Sequence, residues 1–126
     1  MISYLEKYQK ISLFIAVLIA IFIFYISSLH FEKGTPMEIE LIPTIYHLGI
    51  FFLLAFFLIP RIVGKRKNKL LILSAILIAI LYAISDEFHQ LFVSNRYCSI
   101  GDFLLDSIGI AFSTLIYLIV RIKKKI

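Results

Sequence analysis

A single cysteine in 126 residues, Cys98, rules out an internal disulfide, and a lone thiol in a short loop suggests no catalytic role. There is no glycine-rich phosphate loop, no Ser-His-Asp arrangement and no dinucleotide motif, so the familiar signatures of nucleotide and acyl-transfer enzymes are missing. No stretch alternates apolar and polar residues with a strand's period of two, which argues against a β-barrel. Charge is also scarce inside the long apolar runs, and acidic residues, at 8, are outnumbered by 13 basic ones.

What is present is hydrocarbon. Residues of hydrophobic type make up 61% of the chain, too much to hide inside a soluble domain of this size. Four apolar runs, at about 11–29, 41–60, 70–93 and 103–120, each approach the roughly 20 residues that cross about 30 Å of hydrocarbon as a helix. Backbone groups cannot be left unpaired in lipid, so helices are the expected element. The reading is an all-α, polytopic membrane protein, a four-transmembrane-helix bundle forming one domain over residues 1–126. The first run follows Lys7 and Lys10 like a signal peptide, but it is too long, and Ser27-Ser28-Leu29-His30 is a poor cleavage site; retention is expected.

Charge sets the expected orientation. Lys and Arg at the amino terminus, between runs two and three, and in the carboxyl-terminal tail account for 11 of the 13 basic residues, leaving Lys33 and Arg96 for the other side. By the positive-inside rule both termini face the cytoplasm. The basic residues are thus topology signals and possible contacts with anionic lipid, and no nucleic-acid partner is expected. Seven of the 8 acidic residues, all but Glu6, then fall on the extracytoplasmic side.

Within residues 86–106 the chain gathers Asp86, Glu87, Asp102 and Asp106 with His89, Gln90 and Arg96. An ionisable group at mid-bilayer costs about 2.5 to 3.5 kcal/mol on insertion scales, so a cluster beside spans suggests a site. Counting from the basic anchors Arg61, Lys69 and Arg121 at about 1.5 Å per residue puts His47, Asp86 and Asp106 at about 21, 25 and 22 Å, nearly one level. Asp102, Asp106, Gly109 and Ser113 share one face of the last span, where the small residues permit close helix approach. On the third span, Ala75, Ala79, Tyr82, Asp86 and either His89 or Gln90 form a similar stripe. Glu87 lies about 100° from Asp86, so the two should serve different neighbours. The expected result is a polar pocket open to the outer leaflet.

The run Ala83-Ile84-Ser85-Asp86-Glu87-Phe88-His89-Gln90-Leu91-Phe92-Val93, followed by Arg96, Asp102, Asp106 and Gly109, resembles the signature of VanZ-like membrane proteins. His47 and the Ser27-Ser28 pair fit the same pattern. Pro43-Thr44 stands where that family usually has Asp-Lys, and Phe51 replaces a usual Tyr, so any role of those groups is absent or supplied elsewhere. The resemblance implies a cell-envelope protein related to low-level teicoplanin resistance; it implies no particular reaction.

Four carboxylates against Arg96 is an imbalance that a low-dielectric pocket does not hold unaided: protons, a metal cation or a cationic or hydrogen-bond-donating ligand must relieve it. Carboxylates with one or two His suit Mg, Mn or Zn, although no tight metal motif is present. Asp86, Glu87, Asp106 and His47 are the candidate catalytic groups, as acid or base with a proton-transfer partner. Arg96, Gln90, His89, Asp102 and Ser28 are the candidate binding groups, with Arg96 positioned to grip an anion or to cap the last span through Asp102. The bland readings are packing glue for His47, headgroup contact for His89 and interfacial placement for Tyr25, Tyr46 and Tyr97. The expected partner is a membrane lipid or lipid-linked envelope precursor, bound and possibly processed; the alternative is a non-catalytic interaction module whose polar cluster is structural.

Overall fold

The computed structural model describes residues 1–30, 36–66 and 68–123. It contains five helices: α1 (Ile2–Lys7), α2 (Gln9–Ser27), α3 (Pro36–Val63), α4 (Lys69–Gln90) and α5 (Ile100–Lys123). Four of them, α2 to α5, are long and apolar enough to cross a membrane, as the four runs predict, and no strand occurs among the described residues.

The addition is α1. Its Ile2 and Leu5 are buried against the bundle while Tyr4 stays exposed, so this short helix is amphipathic and carries no long apolar run to announce it. It ends at Tyr8, whose backbone leaves the helical region and lets the chain turn into α2.

Helix α3 is the hub. It packs on α1, α2, α4 and α5, most extensively on α5, and supplies the buried Phe51, Leu54, Ala55 and Ile59. Small residues line the buried faces of α4 and α5. On α4 the buried stripe is Ala75, Ala79 and Ala83, continuing to Asp86, Glu87 and Gln90. On α5, Gly109 faces α3 so closely that a methyl group there would collide with the Leu48 carbonyl oxygen and the Phe52 amide. The large aliphatic and aromatic side chains, such as Phe14, Phe22, Leu77 and Phe112, point outward, as lipid-facing surfaces require.

Boundaries differ from the sequence reading at the second, third and fourth spans; α3 runs from Pro36 through Pro60 to Val63 where about 41–60 was expected. Helix α4 stops at Gln90 rather than about residue 93: the amides of Leu91, Phe92 and Val93 bond to carbonyls three residues back, a tightened final turn, and Asn95 then takes a left-handed backbone conformation (φ 62°) that reverses the chain. Helix α5 begins three residues early, at Ile100, because the Ser99 hydroxyl accepts from the Asp102 amide at 3.2 Å and caps it.

Contacts divide the bundle into two ends. At one, Glu6 meets Tyr117 and Arg121, Arg121 reaches the Arg66 carbonyl, and Arg61 lies 3.5 Å from the Gln9 side chain. At the other lie His47, the α4–α5 loop and the carboxylates.

Candidate functional site

Three helices deliver one buried group each to a common point. His47 comes from the second turn of the apolar part of α3, Glu87 from the last turn of α4, and Asp106 from the second turn of α5. Their accessible surfaces are 2%, 3% and 0% of the fully exposed values. One ligand atom from each lies within 4.8 Å of the others.

The imidazole is held on both sides. His47 Nδ1 sits 2.9 Å from Asp106 Oδ1, and Nε2 lies 3.8 Å from Asp102 Oδ2. Asp102 is the shallowest of the carboxylates, partly exposed one turn above Asp106, and it gives the cluster its solvent-facing edge. Glu87 is fixed by its Oε2, which accepts the Ser99 amide at 2.8 Å. The other oxygens of the two deepest acids, Glu87 Oε1 and Asp106 Oδ2, are buried with no hydrogen-bond partner. A buried carboxylate oxygen left unpaired is costly, by about 1 to 3 kcal/mol or more.

Asp86 takes a different place from the one its depth suggests. It is buried, but its Oδ2 accepts from Gln90 Nε2 at 3.2 Å, one turn on along the same helix, and it faces the buried Ser27 hydroxyl of α2. Glu87 is the α4 acid that joins His47 and Asp106. The reason is helix rotation: the buried stripe runs through Ala83, and both neighbours at three and four residues beyond it, Asp86 and Glu87, turn inward on opposite flanks.

His89 and Ser28 form a separate pair near the rim. Ser28 Oγ donates its one proton to the Phe24 carbonyl at 2.7 Å, so His89 Nε2, 2.9 Å away, must be the donor to that oxygen. The His89 ring stacks on Phe24 at 4.6 Å, which ties α4 to the end of α2. Arg96 donates to the Ile26 carbonyl at 3.0 Å, strapping the α4–α5 loop across the end of α2; capping of α5 falls to Ser99.

Ser99 is the participant that sequence reasoning missed, since it binds through its amide as well as its hydroxyl. A Ser three residues before an Asp at a helix start is the available signal, a variant of the capping box. Tyr46, read as an interfacial aromatic, has its hydroxyl buried without a partner next to the cluster, and the Ser113 hydroxyl is likewise buried without a partner about two turns along α5 from Asp106. At the opposite end the Glu6–Tyr117–Arg121 group also escaped notice; its signal is one acid among the basic anchors.

Chemically, the cluster offers a proton acceptor or donor at His47, a hard oxygen set at Glu87, Asp106 and Asp102, and an imidazole with a carboxylate against each nitrogen. No curated protein and no solved structure is significantly similar to this chain. The family model described as VanZ/LLP1 matches residues 11–121, spanning every helix that carries a site residue. The chain therefore belongs to the VanZ/LLP1 family.

Proposed function

We propose that this membrane protein binds, at its His47–Glu87–Asp106 end, the polar headgroup of a lipid or of a lipid-linked cell-wall intermediate, and that the end faces the extracytoplasmic side. The observation that carries the reading is the pair of buried, unpaired carboxylate oxygens at the meeting point of three helices. A cluster kept only for packing would be expected to close its own hydrogen bonds. The resistance to teicoplanin for which VanZ proteins are known fits a protein that binds such molecules in the envelope. In a catalytic version, Glu87 or Asp106 takes or gives a proton, His47 relays it to Asp106, and Asp86 with Gln90 orients the neighbouring turn. His89, Ser28 and Arg96 brace the rim against α2, and Asp102 stands at the mouth.

The test compares envelope lipids and wall precursors by mass spectrometry in cells producing the wild type or Glu87→Gln, with teicoplanin susceptibility measured alongside. Altered precursor pools in the wild type alone support processing. Co-purification of a headgroup-bearing lipid with the wild type but not the variant supports binding. Identical profiles in both respects defeat the proposal.

Orientation has its own test, because the chain's one thiol lies exposed in the loop of the polar end. A membrane-impermeant maleimide should label Cys98 in intact cells. Labelling only after the membrane is opened would reverse the topology.

The tight α3–α5 seam at Gly109 and the His47–Asp106 bond favour one other reading, a non-catalytic interaction module in which the cluster serves helix packing. That version predicts that Asp106→Asn lowers thermal stability and activity together, whereas a working site loses activity with stability kept.

A further inference from the structure

Hydrogen bonding around His47 leaves an unresolved electrostatic demand. If Nδ1 donates to Asp106 Oδ1, as the 2.9 Å separation indicates, Nε2 is the nitrogen left facing Asp102 Oδ2 at 3.8 Å. A lone pair opposed to a carboxylate is repulsive unless a positive charge stands between them. A proton on Nε2 answers that pair alone. It does nothing for Glu87 Oε1 and Asp106 Oδ2, both buried and both without a donor.

An ion ligated by Nδ1 in place of the proton donated to Asp106, and set between Asp106 and Glu87, answers the two bare oxygens and leaves Nε2 to carry the proton that faces Asp102. Donor atoms around a four-coordinate zinc-sized ion lie about 2.0 to 2.2 Å from it and so about 3.3 to 3.6 Å from one another. The ligand atoms of His47, Glu87 and Asp106 lie within 4.8 Å of one another, so closing on an ion asks for at most about 1.3 Å, a movement that rotations of the carboxylates and the imidazole can share. Support for the ligands is already in place: Asp102 Oδ2 faces the other nitrogen of the imidazole at 3.8 Å, and the Ser99 amide fixes Glu87 through its second oxygen. Partners of this kind around first ligands are what orient a metal site.

We propose that His47, Glu87 and Asp106 form a binding site for one divalent cation of the zinc or manganese class, with Asp102 at its open edge as the partner of the other imidazole nitrogen. One imidazole with carboxylate oxygens selects borderline to hard ions, and zinc should bind more tightly than manganese in the same site. The site goes beyond the headgroup reading and does not depend on it, since ion binding is measured with no lipid supplied.

The experiment uses the full chain, purified in detergent with any affinity tag removed, stripped with a chelator and titrated with Zn(II) and, separately, Mn(II). The expected result is one Zn(II) per chain, an affinity weakened by about tenfold or more in Glu87→Gln and in Asp106→Asn, and a smaller loss in Asp102→Asn. Co(II) substituted for Zn(II) should give a visible absorption band that disappears in His47→Gln. Zn(II) should also raise the thermal midpoint of the wild type and not that of the double variant Glu87→Gln/Asp106→Asn. Because Asp102 lies at the edge of the cluster, its variant tests the site even where a deeper substitution fails to fold. Absence of stoichiometric binding by either ion, or equal binding by the wild type and the double variant, overturns the proposal. Neither result bears on whether a lipid headgroup is retained, so the two readings fail separately.

Discussion

At the basic end of the bundle, Glu6 is enclosed by donors: the Tyr117 hydroxyl at 2.7 Å and the Arg121 guanidinium at 3.7 Å, both from α5. At the acidic end, Glu87 and Asp106 meet one imidazole, and each keeps an oxygen without a partner. The two ends thus treat the same functional group in opposite ways. Around Glu6, charge and hydrogen bonds close upon themselves and pin the amphipathic α1 to the last turns of α5. Around His47, burial outruns satisfaction. Stability alone favours the first pattern at both ends; its absence at one end is what makes that end the candidate site.

Perturbing the seam that both ends share should give the largest effect. Gly109→Leu forces α5 away from Leu48 and Phe52 of α3 and should destabilise by about 3 kcal/mol or more, read as a collapse in folded yield and thermal midpoint in detergent. Next comes Glu6→Gln, which removes the charge that holds Arg121 and Tyr117 and should cost about 1 to 3 kcal/mol while leaving headgroup or ion binding intact. Glu87→Gln with Asp106→Asn should do the reverse, abolishing binding with a thermal midpoint unchanged or raised, because two buried carboxylates, each with one unpartnered oxygen, lose their charge. If this pair proves as destabilising as Glu6→Gln, the contrast between the ends is lost. Tyr117→Phe deletes a single hydrogen bond and should cost about 1 kcal/mol. Smallest is Ser28→Ala, expected at about 0.5 to 1 kcal/mol from the rim bond to His89, with little change in binding.

Much of this was legible in the sequence. Length and hydropathy suffice to place four spans, and the basic anchors sort the loops to two ends, because both depend on bulk properties of long segments. That these residues would lie near one another was legible too: His47, Glu87, Asp102 and Asp106 stand out as polar groups at the ends of apolar runs. Their pairing was not. An ideal helix counted from Lys69 places Asp86 level with His47, yet the rotation of α4 is set by how Ala75, Ala79 and Ala83 seat against α3, and that seating brings Glu87 to the meeting point. Adjacent carboxylates differ by only about 100° of phase, less than the uncertainty in an apolar stripe read from sequence. The short α1 was hidden for another reason: with six residues and two buried side chains, it is held by contacts to the folded bundle rather than by any signal of its own.

Ser99 fixes the register of the last span. Its hydroxyl starts α5 and its amide steadies Glu87, so one residue sets the zero of the helix that carries Asp102 and Asp106. Adding or deleting a single residue between positions 99 and 102 would swing both acids by about 100° around the α5 axis, out of reach of His47. The tip of the loop, from 91 to 95, carries no such constraint. Length variation should therefore be tolerated before Arg96 and forbidden after Ser99, a rule of spacing that is independent of which side chains fill the loop.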